Sequence, residues 1–295
     1  TGGILVVAPL SDPKNIYNTV FMQGSVFLTH EDRYRQTVNI GIGDRILTMD
    51  KKLLLGANVF YDQEFPYDHK RGSIGLEARS SVGELNANKY YRLSTWNGGY
   101  NGIQEKALSG QDIELGVPLP YMNWAKVYAK RFKHEGVGTT SDIKGDDLSL
   151  RANLPFGLSI EGGRRNYSTN GINDEDFVRL TWNSNPPTDE KPLTISNEAY
   201  TLTSMETHRY DKVRRENIIQ KQKLLLDLSN IKQNAISIAS IIKTNEVIAI
   251  GASAGGTTAI EYILRALPAN MPGIVITQHM PKGFAKLFAD RLNDI

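Results

Sequence analysis

Cysteine is absent from the 295-residue chain, which excludes disulfides, thiol chemistry and cysteine-bound metals. The chain also lacks an excess of one charge, since 34 basic and 32 acidic residues nearly cancel. It has no block of like charges either, which argues against a nucleic-acid-binding protein, whose affinity comes from clustered cations. No run approaches the about 18–20 apolar residues of a membrane helix, so a helical membrane protein is excluded. A β-barrel stays open, because its alternating strands leave hydropathy near zero.

Aromatic residues and glycine become scarce after residue 185. Residues 1–185 hold 20 of the 25 aromatic residues and 21 of the 26 glycines. Between the two parts, 184–192 combine prolines with polar residues, which is typical of a linker. The sequence therefore predicts two parts of different kinds.

Apolar and polar residues alternate with period two through the first part, which predicts about ten antiparallel strands. The polar faces carry both charges and glycine, as the lining of a wet lumen would. The predicted strands lie in 19–29, 36–43, 53–62, 74–82, 112–119, 125–130, 148–154 and 178–182, with others between. Short connections at 82–84, 118–123 and 155–157 contrast with long ones at 62–72, 96–111, 133–147 and 166–175. This asymmetry favours an outer-membrane barrel, although a soluble antiparallel sandwich gives the same alternation.

Several segments resemble the inverse autotransporter (intimin/invasin) barrel family. They are 54–62 (LLGANVFYD), 75–79 (GLEAR), 84–94 (ELNANKYYRLS) and 124–128 (WAKVY). Residues 209–217 (RYDKVRREN) resemble the stretch after that barrel, where the chain returns through the pore towards an exported passenger.

The resemblance implies a mostly β fold, an antiparallel outer-membrane β-barrel that is incomplete at about ten strands, against twelve in the family. The missing strands are expected at the N-terminus, since the sequence pattern of Thr1–Asn18 does not predict paired strands. The implied function is a translocator and anchor that displays adhesin domains. Its implied partners are outer-membrane lipid and the barrel-assembly machinery, and its implied location is the outer membrane.

Charged lumen positions are expected to pair across strands as a polar lining rather than to form a site. They include Glu77, Arg79, Arg92, Glu114 and Arg151. Lys89 falls on the apolar face, where it must reach the membrane interface or the assumed register is wrong. The histidines at 30, 69, 134 and 208 show no metal-ligand spacing, so we expect neither a metal nor a cofactor.

The last fifty residues predict a short α/β (βαβ, Rossmann-like) fragment. A β-branched run at 246–250 enters Gly251-Ala252-Ser253-Ala254-Gly255, a helix follows from 257 to about 267, and a second apolar strand ends at His279. The pattern G-x-S-x-G fits a nucleophile elbow, with Ser253 as nucleophile and His279 as general base. A glycine-rich phosphate loop or a plain tight turn remains an alternative.

Residues 247–293 closely resemble the catalytic domain of the chemotaxis protein-glutamate methylesterase (CheB), a cytoplasmic hydrolase. The resemblance implies Ser253 as nucleophile, His279 as base and methylated chemoreceptors as partners. The catalytic Asp of that family lies far downstream, and this sequence stops at Ile295. We therefore expect no useful esterase activity.

The predicted domain limits are 1–18 (unassigned lead-in), 19–183 (barrel), 184–245 (linker and join) and 246–295 (methylesterase part). Three hypotheses follow: a transport and display protein, an enzyme, and a fusion of two unrelated gene fragments. The join is expected between Leu228 and Asn245, where Ile231, Ala235, Ile238 and Ile242 could form a helical stripe.

Overall fold

The computed structural model describes residues 1–30, 33–100, 103–138, 140–188, 192–223, 248–252, 256–268, 274–278, 280 and 284–293. The chain divides into two compact units, Thr1–Asn97 with Lys106–Gln222, and Gly98–Glu105 with Lys223–Ile295. Within the described ranges, neither α-helix has the length and hydropathy needed to cross a membrane. The predicted helical stripe at 231–242 lies outside the described residues.

Eleven strands of the first unit form one antiparallel sheet, in which almost every strand pairs with the next along the chain. They are β1 (Gly2–Pro9), β2 (Asn18–His30), β3 (Tyr34–Thr48), β4 (Leu53–Phe65), β5 (His69–Ser80), β6 (Gly83–Arg92), β9 (Gly110–Leu119), β10 (Met122–His134), β11 (Ile143–Asn153), β12 (Leu158–Tyr167) and β13 (Glu175–Trp182). The chain also contains three short strands, β7 (Asn97–Gly98), β8 (Gln104–Ala107) and β14 (Lys221–Lys223), and two 3₁₀ turns, Pro155–Gly157 and Glu206–Tyr210. The sheet is open: no ladder joins β1 to β13 in the described part of the chain.

The mostly antiparallel β fold is confirmed, with two corrections to the strand pattern. Residues 1–18 do contain a strand, since β1 pairs with β2 from Gly2↔Leu28 to Pro9↔Phe21. Residues 62–72 are not a long loop, because β4 and β5 pair as far as Glu64↔His69 and leave only 66–68 between them. The sequence of this region is polar because its inward side chains are charged. The pattern alone does not distinguish such buried charged side chains from those of a solvated loop.

The sheet is apolar outside and polar inside. Along β3, Asn39 is 1% exposed and its neighbour Ile40 52% exposed, and the same alternation runs through most of the sheet. Buried polar side chains include Gln23, Arg45, Asp62, Arg71, Glu77 and Glu114. Exposed apolar side chains include Val26, Ile42, Val59, Leu76, Leu115, Leu148 and Leu180. This arrangement reverses that of a water-soluble sheet, whose buried face is apolar.

The strand connections define two ends of the sheet. We call one the turn end, with connections at 49–52, 81–82, 120–121 and 154–157, and the other the loop end, with 66–68, 93–109, 135–142 and 168–174. Connection 10–17 also lies at the turn end, so the predicted difference in loop length is present but smaller than expected.

The second unit contains the predicted βαβ arrangement. Strands β15 (Ile248–Ala252) and β16 (Ile274–Gln278) are parallel, and helix α1 (Gly256–Ala266) connects them. Helix α2 (Phe284–Asn293) follows, and Glu261 of α1 pairs with Arg291 of α2 at 2.5 Å. Helix α1 ends two residues before Pro268, a residue that cannot continue a helix.

Candidate functional site

One segment of the first unit, 205–222, lies along the buried polar face of the sheet. The Val213 amide donates to Gln23 Oε1 on β2 at 2.8 Å, and the adjacent Arg214 pairs with Glu161 on β12 at 3.4 Å. A flat sheet would place β2 and β12 roughly 38 Å apart, at about 4.8 Å a strand. Consecutive residues contact both strands only because the sheet curls around the chain, so we call 205–222 the luminal segment.

The luminal segment runs from the turn end to the loop end. At the turn end the Met205 amide donates to the Lys51 carbonyl at 2.8 Å, and Met205 is buried with Leu47 and Leu54. At the loop end the Gln220 carbonyl accepts from the Leu108 amide at 2.8 Å. The chain therefore traverses the whole interior.

The connection 135–142 contacts the luminal segment where it leaves the sheet. The Gln222 amide group donates to Thr140 Oγ1 at 2.7 Å, and Gln222 Oε1 accepts from the Val137 amide at 2.8 Å. Within this connection Asp142 accepts from the Gly136 amide at 3.1 Å. The Lys133 ammonium, hydrogen-bonded to Asp142, holds the pKa of that carboxyl below its ordinary value.

Wall side chains bind the backbone of the luminal segment. Arg45 donates to the carbonyls of Arg209 at 2.8 Å and Asp211 at 2.7 Å. Arg71 donates to those of Glu216 at 2.6 Å and Ile218 at 3.2 Å. Further backbone contacts come from Arg79 to the Lys212 carbonyl, Asn88 to the Arg214 carbonyl, Asn39 to the Asn217 carbonyl, and the Glu216 amide to Tyr90 Oη. These contacts satisfy main-chain groups that are out of reach of a strand partner.

Ion pairs bind three consecutive side chains of the segment. Arg214 pairs with Glu114 on β9 through two hydrogen bonds. Arg215 forms a fork with Asp62 on β4 at 2.6 and 2.9 Å, and both side chains are fully buried. Glu216 lies 3.6 Å from Arg165 and 3.9 Å from Lys130. A buried charge is tolerated only when it is paired, so the wall and the segment complement each other in charge.

Aromatic side chains of the wall stack on these arginines. The Arg215 guanidinium lies 4.3 Å from the Phe60 ring centre, and that of Arg214 lies 3.7 Å from the Tyr128 ring centre. Glycine makes room for the rings, since a side chain at Gly41 would collide with the Phe60 ring. Such cation–π contacts strengthen when water is excluded.

The lining residues predicted from the sequence differ in their contacts. Glu77 pairs with Arg45 at 2.6 Å and with Arg79 at 2.9 Å, as expected of a lining that pairs across strands. Glu114 instead pairs with the luminal segment. Arg92 is exposed at the end of β6, and Arg151 donates to Asn153 and Ser159. Asp62 ends the predicted strand 53–62 on its polar face, but the pattern gave no sign that its partner, Arg215, lies on the luminal segment.

Lys89 lies on the outer face, as the alternation predicts, and reaches the rim. Its ammonium lies 3.1 Å from Glu135, which directly follows β10 at the loop end, and 3.4 Å from Gln111 Oε1. The assumed register of β6 is therefore correct. The cation is placed at a strand end and not in the middle of the apolar belt.

The two predicted catalytic residues, Ser253 and His279, lie outside the described residues. The structure does describe the residues before them: Ala252 and Gln278 are the last paired residues of the parallel strands β15 and β16. Both predictions thus fall directly after the carboxyl ends of neighbouring strands, the edge where α/β sheets hold ligands. The pairing of Ser253 with His279 stays a prediction.

Comparison with protein families gives two matches. The family "Inverse autotransporter, beta-domain" matches residues 4–217, and "CheB methylesterase" matches 248–295. The first match covers the eleven-stranded sheet and the luminal segment as far as Asn217. The second covers the βαβ arrangement and its following helix.

Curated relatives match only the C-terminal part. A protein-glutamate methylesterase/protein-glutamine glutaminase of Syntrophotalea carbinolica is 64% identical over 52 residues, 18% of this chain and 15% of the relative. Relatives named likewise from Pseudomonas aeruginosa and Chromohalobacter salexigens are 54% identical over 57 residues and 52% identical over 64 residues. These alignments cover 19% and 22% of this chain, and 16% and 18% of the relatives. The chain thus spans less than a fifth of the length of these relatives.

A solved structure shares the fold of most of the chain. The structure, described as "Unveiling the Mechanism Behind the in-meso Crystallization of Membrane Proteins", superposes with a TM-score of 0.58 at 22% identity. The superposition covers 75% of this chain and 92% of that one.

Proposed function

Because the chain belongs to the inverse autotransporter beta-domain family, we propose that its first unit is an outer-membrane anchor and translocator whose interior passes polypeptide from the turn end to the loop end. The observation that carries this proposal is the luminal segment, a stretch of chain held along the polar interior from one end to the other. The supporting observation is the apolar outer face of the same sheet.

The physical basis is the difference between the two faces. In hydrocarbon, each unpaired backbone polar group costs several kcal/mol, so strands cross a bilayer only when they pair laterally. The outward apolar side chains suit lipid, and the inward charged side chains suit a hydrated polypeptide. Outer-membrane lipid and the barrel-assembly machinery are the partners that this proposal requires. Within the outer membrane, the loop end would face outward, as longer loops do in such barrels.

Membrane fractionation tests this proposal directly. The full chain, expressed with a secretion signal in a Gram-negative host, should float with outer membranes and migrate anomalously on gels unless it is heated. A cysteine introduced at Gln222 should react with a membrane-impermeant maleimide on intact cells, and the absence of native cysteine makes that signal unambiguous. Recovery in the soluble fraction, with one gel mobility before and after heating, would refute the proposal.

A second candidate function concerns 246–295 and rests on the match to the methylesterase family over 248–295. We propose Ser253 as nucleophile and His279 as general base of a methylesterase-type part, with glutamyl methyl esters of chemoreceptors as the substrate class.

We also propose the domain limits predicted from the sequence. They are 19–183 for the barrel, 184–245 for the linker and join, and 246–295 for the methylesterase part, with β1 (Gly2–Pro9) added to the barrel.

Activity of this part is expected to be absent. Val275, Phe284 and Leu287 are more than half exposed, so two strands and two helices leave apolar faces uncovered. A fluorophosphonate probe should therefore not label the chain. Labelling that disappears in Ser253→Ala, and falls in His279→Ala, would instead establish the esterase function.

A further inference from the structure

The wall of the first unit contacts the luminal segment through two chemically different sets of side chains. One set, which we call the backbone readers, comprises Gln23, Asn39, Arg45, Arg71, Arg79, Asn88 and Tyr90. The other, which we call the charge readers, comprises Asp62, Glu114, Lys130 and Arg165. We propose, on the basis of the translocation function above, that the backbone readers bind any passing extended chain, whereas the charge readers recognise Arg214, Arg215 and Glu216 and fix where the chain stops.

The backbone readers are insensitive to sequence because every residue except proline presents the same carbonyl and amide groups. Gln23 accepts from the Val213 amide at 2.8 Å, and Arg45 and Arg71 each donate to two carbonyls. Replacing one residue of the segment by another would leave these groups in place. The substrate class of this set is therefore an extended polypeptide of any sequence, held at successive positions along the interior.

The charge readers, in contrast, respond to particular side chains. Asp62 receives two hydrogen bonds from Arg215, and Glu114 receives two from Arg214. Glu216 lies between Lys130 and Arg165. Planar guanidinium forks match carboxylates in a way that other side chains do not. Arg214, Arg215 and Glu216 thus form a pattern of two cations followed by one anion, and this pattern matches the charges of the wall in one register.

The register can be measured at the loop end, away from both sets. The side chains of Thr140 and Gln222 touch there at 2.7 Å. A chain carrying Thr140→Cys and Gln222→Cys as its only cysteines should form a disulfide on mild oxidation when the segment is in its normal position. Any displacement along the interior separates the two thiols.

Three variants of this double-cysteine chain separate the roles. Arg214→Gln with Arg215→Gln should lower the disulfide yield about tenfold or more, because Glu114 loses its partner and Asp62 loses one of two. Arg214→Lys with Arg215→Lys, which keeps both charges, should recover much of that yield. Ile218→Val, which changes an uncharged side chain while keeping the carbonyl that Arg71 binds, should match the parent.

The backbone readers have their own readout, the time that Gln222→Cys takes to become reactive at the surface. Arg45→Lys keeps a charge beside Glu77 but loses the fork that binds two carbonyls. It should lengthen that time and leave the final disulfide yield unchanged.

Flotation is measured on the same cells for every variant. If the parent does not float, the translocation function itself is wrong. If all variants float and the double glutamine variant gives the parental disulfide yield, only the assignment of the charge readers is wrong. An equal loss of yield in the Ile218→Val variant would also overturn that assignment, since it would show that any side-chain change shifts the segment.

Discussion

Arg214 and Arg215 are consecutive residues whose guanidinium groups bind opposing sides of the wall. Arg214 reaches Glu114 on β9 and Glu161 on β12, whereas Arg215 reaches Asp62 on β4. An extended chain points successive side chains in opposite directions. The wall carries carboxylates on both sides at that level, so each arginine meets an acid.

The buried fork between Asp62 and Arg215 should matter for stability. Asp62 also pairs with Arg71 at 2.8 Å, so Asp62→Asn leaves two buried cations without their carboxylate and should cost about 3–5 kcal/mol of unfolding free energy. Urea unfolding followed by tryptophan fluorescence in detergent measures this cost. The matched control is Asp146→Asn on the exposed pair with Arg131, which should cost about 0–1 kcal/mol. Equal effects at the two sites would contradict the burial of the fork.

Depth in the membrane should govern the effect of charge on the outer face. Ile42 and Tyr34 both lie on the outward side of β3, but Ile42 is within the strand and Tyr34 begins it at the loop end. Ile42→Arg should destabilise the protein by about 2–4 kcal/mol, and Tyr34→Arg by about 0–1 kcal/mol. Unfolding from lipid vesicles gives both values. A soluble protein would show little cost for either change, because both side chains are exposed.

Gly43 should be intolerant of a side chain. A Cβ there would enter the Phe21 ring, and that ring also stacks against Arg45 at 4.3 Å. Gly43→Ala should therefore cost about 1–3 kcal/mol through overpacking, measured as a lower temperature for loss of the compact gel form. Gly24→Ala, where a Cβ meets nothing within 4 Å, is the control and should be close to neutral. Adding Phe21→Leu to Gly43→Ala should restore part of the loss.

The strands were predictable from the sequence because alternation is a local property. Strands β3 and β9 bury every second residue along their length, and the outward position of Lys89 follows from the same count. The charged stretch around Asp62 and Arg71 was misread, since buried charges and solvated charges look alike along a chain. The strand at Gly2–Pro9 was missed because its outward and inward residues are both largely apolar.

The pairing of wall and luminal segment was not predictable in the same way. Asp62 and Arg215 are 153 residues apart in the chain, and no periodicity connects them. Only the family resemblance pointed to 209–217. The expectation that wall charges pair among themselves holds for Glu77 but not for Glu114, whose partner is on the segment.

The alternating contacts of the luminal segment also set the size of its movements. A displacement by one residue brings Glu216 to the level of Arg215 and turns each side chain away from its partner. If the segment then rotated by half a turn about its axis to compensate, Glu216 would face Asp62, and two like charges would meet in a buried site. A displacement by two residues keeps the facing of Arg214, Arg215 and Glu216 and shifts the chain by roughly 7 Å. Motion through this interior should therefore occur in dipeptide steps, with an energy barrier at each odd position.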